Sequence, residues 1–161
     1  MRCAARPVCR VLPVNSALAL LKVTMDAKHT HLQMIQGVVN RLSNNSFLLK
    51  GWAVVLVSGL FALAAKDSKA LFVYLAYFPC ITFWLLDGYF LWQERLFRAL
   101  YDQVRTVAPD AIDYSMDTSL ISQTQKCWLE AVFSKTLLMF HGTVLATIIV
   151  VMLVLLTYSG R

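Results

Sequence analysis

The sequence has little charge and none of the short motifs that mark several common enzyme classes. Asp, Glu, Lys and Arg make up 15% of its 161 residues, against about 25% in soluble domains. It contains no G-x-S-x-G, H-E-x-x-H or P-loop motif, which argues against a serine hydrolase, a zinc protease and a P-loop nucleotide-binding enzyme. The sequence therefore predicts a protein that is not an enzyme and has no cofactor.

Metal and nucleic-acid sites are equally poorly supported. The four cysteines form no C-x-x-C pair, which argues against a zinc site and a disulfide framework; they are Cys3, Cys9, Cys80 and Cys127. His29-x-His31 is a short pair without further ligands at useful spacing, so no metal site is predicted. The net charge of +6 comes without a basic run interleaved with aromatic residues, so no nucleic acid partner is expected.

Hydrophobic residues are abundant and occur in long runs. They make up 58% of the chain, whose mean hydropathy is +0.61. Three runs, residues 47–65, 70–92 and 136–158, are long enough to cross the roughly 30 Å hydrocarbon core of a lipid bilayer, which takes about 20 helical residues. The sequence therefore predicts an all-α integral membrane protein with three transmembrane helices and cytoplasmic amphipathic helical extensions.

Residues 1–24 differ from the rest of the chain. Basic residues precede a weakly apolar stretch, as in a signal peptide, but Pro13 interrupts the stretch and Lys22 closes it. We interpret this segment either as an over-extended reading frame upstream of a start at Met25 or as a disordered basic tail. Residues 25–161 are predicted to form a single helical membrane domain.

The distribution of Lys and Arg predicts the orientation in the membrane. If the N-terminus lies inside, 12 of the 15 basic residues lie in cytoplasmic segments or at their borders, and 3 lie outside. Cytoplasmic loops of membrane proteins carry an excess of Lys and Arg. We therefore expect a cytoplasmic N-terminus and an external C-terminus.

Two of the predicted cytoplasmic segments have apolar residues at helical spacing. The first precedes the first span and is expected to end near Ser43–Ser46, a polar run that suits a helix break or an N-cap. The second continues from the second span until Ala108 and Pro109 stop it. We expect their apolar faces to pack between subunits or against a partner protein; these residues are Leu32, Ile35, Val39, Leu42, Leu96, Phe97, Leu100 and Val104.

Lys50, Asp87 and His141 lie at similar depth in the three predicted spans. Asp87 is about 7.5 Å inside Trp92 along a helix, where an unpaired charge costs about 2.5–3.5 kcal/mol. One hypothesis is that Asp87 pairs with Lys50, with His141 or with both. A second is that each is satisfied separately, with Lys50 reaching the headgroups, His141 bonding a backbone carbonyl and Asp87 reaching interfacial water. A third is that the three side chains conduct protons or ions.

Longer stretches resemble a known family. The runs NNSFLLKGWAVVLVSGLFALAAKDS, YFPCITFWLLDGYFLWQERLFRALYDQVR and FSKTLLMFHGT are similar to small bacterial inner-membrane proteins related to RipA, described as octameric. The similarity covers about residues 30–158, and its most specific elements are Lys50-Gly51-Trp52 and residues 84–95. It implies a ring-forming homo-oligomer, an octamer, in the bacterial inner membrane with a role in stress, host interaction or defence. It implies no catalytic residue.

Three functional interpretations follow. The first is a non-enzymatic oligomeric assembly that forms a pore or perturbs the membrane. The second is a scaffold or regulatory subunit that docks a cytoplasmic partner protein through the same helical faces and conducts nothing. The third is a proton-linked transporter subunit that uses Asp87 and His141, which is disfavoured because three spans are few for a transporter.

Overall fold

A computed structural model describes residues 14–67 and 71–159. Within these ranges every regular element is helical and no strand occurs. The elements are α1 (Val14–Asp67), α2 (Leu71–Thr106), a 3-10 turn (Pro109–Ala111), α3 (Ser119–Thr124), α4 (Trp128–Val132) and α5 (Lys135–Ser159). The predicted all-α class is confirmed for the described residues. Residues 1–13 of the predicted leader lie outside them.

Three of the helices, α1, α2 and α5, are long and apolar enough to cross a membrane. This confirms the predicted number of long apolar helices, and the expected spans 47–65, 70–92 and 136–158 fall almost entirely within them. Only 17%, 33% and 22% of the residues in their most apolar windows are buried inside the protein. Three helices therefore leave most of their apolar surface facing outward.

The helix α1 is a single uninterrupted rod of 54 residues, about 81 Å long at 1.5 Å per residue. The expected break or N-cap at Ser43–Ser46 is wrong, because the helix passes through this polar run without interruption. Contacts with a neighbouring helix readily override weak local propensity, and Ser46 makes such a contact with α2. Residues 14–24, interpreted above as untranslated or disordered, form the first turns of the same helix.

The helix α2 contains Pro79. It continues from the apolar run into the polar extension, and this continuation was predicted. It ends at Thr106, where the Nζ of Lys28 on α1 donates hydrogen bonds to the carbonyls of Arg105 at 2.9 Å and Val107 at 2.7 Å. The last carbonyls of a helix lack donors within the helix. Lys28 supplies them and so fixes the end of α2 against α1.

Two apolar clusters hold the helices together, and α2 contributes to both. The first joins α1, α2 and α5 within the apolar runs and contains Val57, Ala64, Val73, Ala76, Cys80, Ile148 and Met152. The second lies where α1 and α2 extend beyond these runs and contains Ile35, Leu96, Leu100, Val104 and Ile121. The helices α1 and α2 run antiparallel, because Lys28 contacts the end of α2 while Lys50 contacts its middle.

The second cluster contains most of the residues that were expected to face other subunits or a partner. Most of them are buried, and Leu32, Phe97 and Leu42 are half-buried. The expectation of an intermolecular face is therefore wrong for the buried positions, because the hairpin of α1 and α2 folds the two apolar stripes against each other within one chain. The buried positions are Ile35, Val39, Leu96, Leu100 and Val104.

Residues 109–125 lie in the connection between α2 and α4. Most of the segment is irregular, but it includes the 3-10 turn and α3. Ile121 of α3 is buried in the second cluster, and Ile112 and Met116 pack against it. These three apolar side chains hold the connection on the α1–α2 hairpin.

Candidate functional site

Asp87 on α2 is completely buried, at 0% exposure, and its carboxylate contacts two other helices. The Nζ of Lys50 on α1 lies 2.6 Å from Oδ2, and the Nε2 of His141 on α5 lies 3.0 Å from the same oxygen. The hydroxyl of Ser46 on α1 donates a hydrogen bond to Oδ1. The three ionisable side chains singled out in the sequence thus meet at one point, which we call the Asp87 cluster.

Ser46 is the member of the Asp87 cluster that sequence reasoning missed. It lies one helical turn before Lys50, and residues four apart share a helix face. The Ser46 hydroxyl accepts a hydrogen bond from Lys50 Nζ at 2.7 Å while donating to Asp87, as a hydroxyl group can do both. The spacing of Ser46 and Lys50 was visible in the sequence, but it has this meaning only if α1 continues through both residues.

His141 is also fully buried, and its contact with Asp87 identifies which ring nitrogen carries a hydrogen. A carboxylate that pairs with an ammonium group acts only as an acceptor, so Nε2 of His141 donates a hydrogen bond to Oδ2 of Asp87. The other ring nitrogen, Nδ1, is buried and has no hydrogen-bond partner among the described residues.

Two aromatic rings pack around the imidazole of His141. The indole of Trp84 stacks nearly parallel to it, with ring centroids 6.0 Å apart and an interplanar angle of 9°. The ring of Phe140 approaches edge-on at 5.1 Å and 88°. Trp84 is itself fixed, because its Nε1 donates a hydrogen bond to the carbonyl of Val132 at 3.0 Å. These contacts restrict the orientation of the ring that binds Asp87.

The short helix α4 reaches α2 at Gly88, directly beside Asp87. A Cβ atom at Gly88 would lie 3.0 Å from the Cα of Val132 and still closer to its side chain. Glycine is therefore required for the two backbones to approach this closely. The contact of Gly88 with Val132 was not predicted from the sequence, because a helix of five residues, Trp128–Val132, is too short to show an apolar period.

The Asp87 cluster places one cation and one anion in direct contact beside an imidazole. Lys50 keeps 25% of its side chain exposed, whereas the Asp87 side chain has none. Pairing and hydrogen bonding offset the cost of placing charges in apolar surroundings. The geometry differs from the second hypothesis, in which Lys50, Asp87 and His141 each find a different partner. In the structure His141 bonds the Asp87 carboxylate, and Asp87 does not reach the surface.

The other candidate ligands are dispersed. His29 is exposed, whereas His31 is buried and meets the ring of Tyr114 edge-on at 5.5 Å. Within residues 14–67 and 71–159, no group of three or more His, Cys, Asp or Glu side chains is arranged to hold a metal ion. Cys80 is buried and Cys127 is exposed, and both are free thiols. Cys3 and Cys9 lie outside the described residues.

Comparison with known proteins gives no match: no protein-family model, no curated protein and no solved structure is similar to this chain. The class of the protein rests on its own structure, an all-helical chain with three helices able to cross a membrane. The Asp87 cluster connects those three helices.

Proposed function

We propose that the chain is a multi-pass protein of the bacterial inner membrane, related to the RipA-like family, with its N-terminus in the cytoplasm and its C-terminus outside. Three long apolar helices support the membrane location. The bias of Lys and Arg supports the orientation, and the bacterial family is proposed only from the resemblance of the three sequence stretches quoted in the sequence analysis. In this arrangement the parts of α1 and α2 that extend beyond the apolar runs project into the cytoplasm.

We propose further that the protein is a homo-oligomeric, non-enzymatic assembly that forms a pore. The observation that carries this proposal is that the ionisable side chains within the predicted spans, Lys50, Asp87 and His141, bond one another inside one chain. The outer faces of the spans are left to apolar, small and hydroxyl residues. Such faces let membrane helices approach closely, because small residues bring backbones together.

Small residues lie on the outer surface of both α1 and α5. Ser58 and Gly59 are exposed on α1, and a Cβ atom at Gly59 or Gly142 would meet nothing within 4 Å. These positions are open for a helix of a second copy. A conducting path would then lie between copies, since Asp87 is sealed inside each chain.

The test is to purify the protein in mild detergent, measure its mass and reconstitute it into liposomes that contain a trapped ion indicator. We expect a particle of several chains and ion flux across the vesicles. Gly59→Leu places a bulky side chain on the open face and should lower both the mass and the flux. The control is Val54→Leu, which enlarges a side chain that is 45% exposed on a different face of the same helix. Sealed vesicles containing correctly inserted protein would contradict the pore.

A scaffold or regulatory subunit is the second candidate, and one observation favours it. A cavity of about 240 Å³ opens between the end of α2 and the following connection. Its lining combines polar residues such as Gln103 and Asp113 with apolar ones such as Val107 and Leu120. This mixture suits a short peptide segment of a cytoplasmic partner. Sealed vesicles together with a partner that co-purifies stoichiometrically would support this candidate over the pore.

A further inference from the structure

The helix α1 extends beyond the end of the helix that covers it. Lys28 marks the level at which α2 ends, because its Nζ bonds the carbonyls of Arg105 and Val107. The preceding part of α1, residues 14–25, projects past this level, and we call it the overhang. Leu18 and Leu21 of the overhang are each 61% exposed, in contrast to 0% for Ile35 further along the same helix.

Three of the five large apolar residues exposed on the overhang form one regular stripe, and the other two, Leu20 and Val23, lie on the opposite face. Leu18, Leu21 and Met25 are separated by alternating steps of three and four residues, the spacing of a two-helix seam. The same spacing continues through Lys28 to the residues that pack towards α2, which are Leu32, Ile35, Val39 and Leu42. The apolar stripe of α1 is therefore covered by α2 at Leu32 and Ile35 and is uncovered on the overhang.

Lipid is not a suitable cover for the overhang. Lys28 lies about 33 Å along α1 from Lys50. The inference drawn below rests on the orientation proposed above, in which Lys50 lies near the cytoplasmic border of the membrane. The overhang is then surrounded by water. An exposed stripe of Leu and Met in water is stabilised by burial against another protein helix.

We infer that the overhang pairs in parallel with the overhang of a second copy of this chain. All copies cross the membrane in the same direction, so neighbouring α1 helices run parallel. A Leu/Met stripe at seam spacing is self-complementary, whereas the charged residues of this region, Lys22 and Asp26, lie off the stripe. Pairing through so short an apolar stripe is only marginally stable for two helices that are free in water. Here the membrane spans hold the copies together and raise their effective concentration.

Cysteine cross-linking in native membranes tests this pairing. Single cysteines are introduced by Leu21→Cys on the stripe and Val23→Cys on the opposite face, in a chain in which all four native cysteines are replaced by alanine. The two positions are matched, at 61% and 64% exposure. A parallel seam brings identical stripe positions together, so we expect dimer formation under mild oxidation from Leu21→Cys to exceed that from Val23→Cys about fivefold or more. Leu18→Cys and Met25→Cys should also cross-link, which an antiparallel pair does not allow at both positions.

A second measurement keeps the native cysteines and does not depend on the alanine replacements. The paired change Leu18→Ser and Leu21→Ser should lower the mass of the purified particle or raise the protein concentration at which it dissociates. The control Val23→Ser should change neither. Equal effects at Leu21 and Val23, or cross-linking of Leu21→Cys to a different protein, would overturn the inference.

The mass of the unmodified protein separates failure of this inference from failure of the proposed assembly. If the protein is an oligomer but Leu21→Cys gives no more dimer than Val23→Cys, the overhang does not pair and the assembly stands on its membrane helices. If the unmodified protein is a monomer, both proposals fail.

Discussion

Neutralising Asp87 should destabilise the protein, and the cost should depend on whether Lys50 is present. The change Asp87→Asn keeps a similar shape but leaves the Lys50 ammonium without a counter-ion. Lys50 is 25% exposed, so part of its side chain can move towards polar surroundings, and we expect a loss of about 2–3 kcal/mol. The change Lys50→Met should cost more, about 3–5 kcal/mol, because it leaves a fully buried carboxylate without a cation.

The two single variants and the double variant Asp87→Asn, Lys50→Met form a double-mutant cycle, and the double variant is its decisive measurement. It removes both charges together, and replacing a buried pair by neutral residues is far less costly than breaking it. We expect a total loss of about 1–2 kcal/mol. The two single changes are then strongly non-additive, with a coupling of about 2 kcal/mol or more between Asp87 and Lys50. The measurement is unfolding in detergent micelles by denaturant titration, followed by far-ultraviolet circular dichroism.

The exposed pair of Lys126 and Glu130 provides a matched control cycle. Its charged atoms lie 2.9 Å apart, but the two side chains are 75% and 53% exposed. Exposed pairs contribute about 0–1 kcal/mol, so Lys126→Met and Glu130→Gln should be nearly additive. A coupling between Asp87 and Lys50 no larger than that of this control would refute the claim that the buried ion pair holds α1 on α2.

Three further predictions concern separate parts of the fold. Gly88→Ala should destabilise the protein by about 1–3 kcal/mol because a Cβ atom there overlaps a neighbouring backbone, as measured by the same titration. Lys28→Met should increase hydrogen exchange in the last turn of α2, because two carbonyls lose their donor. Hydrogen bonds from the backbone and side chain of Ser119 lower the pKa of Asp117 below its usual value, so protection of the Ser119 amide should be complete at neutral pH and lost as the pH falls through that lowered pKa.

Each of these three predictions has its own control. Gly37→Ala should be neutral or slightly stabilising, since a Cβ atom there meets nothing within 4 Å and alanine favours helix more than glycine does. Lys22→Met should leave exchange at the end of α2 unchanged, because Lys22 lies on the overhang and not at that end. Asp117→Asn should remove the acid-dependent change at Ser119. Persistence of that change in the variant would assign it to another group.

The sequence was sufficient to predict the three long helices, and it offered the contact of Lys50, Asp87 and His141 as one of three hypotheses. Long apolar runs are a strong signal for helices that can cross a bilayer, and charged residues inside such runs are rare enough to be noticed. Depth along each helix could be estimated from the rise of 1.5 Å per residue, which placed Lys50, Asp87 and His141 at a similar level. Their contacts depend on how the helices are rotated and packed, and a single sequence does not determine this.

Other features could not be predicted because they depend on tertiary contact. The polar run Ser43–Ser46 has the local chemistry of a helix end, but α2 binds Ser46 and the helix continues. The apolar stripes around Ile35 and Leu100 were expected to pack against another chain, because their periodicity does not distinguish a partner chain from the same chain. Gly88 lacked any pattern, since its role is set by a backbone that arrives from α4.

The uninterrupted course of α1 gives the Asp87 cluster an influence over distance. Ser46 and Lys50 grip the same carboxylate from successive turns, so sliding α1 by one residue, about 1.5 Å along its axis and 100° around it, would withdraw both at once. Because α1 is one continuous helix, the same displacement would also occur at Ile35 and at the contact of Lys28 with the end of α2. The contact of Asp87 with Lys50 and Ser46 therefore fixes the register of α1 against α2, including the part of the hairpin beyond the apolar runs.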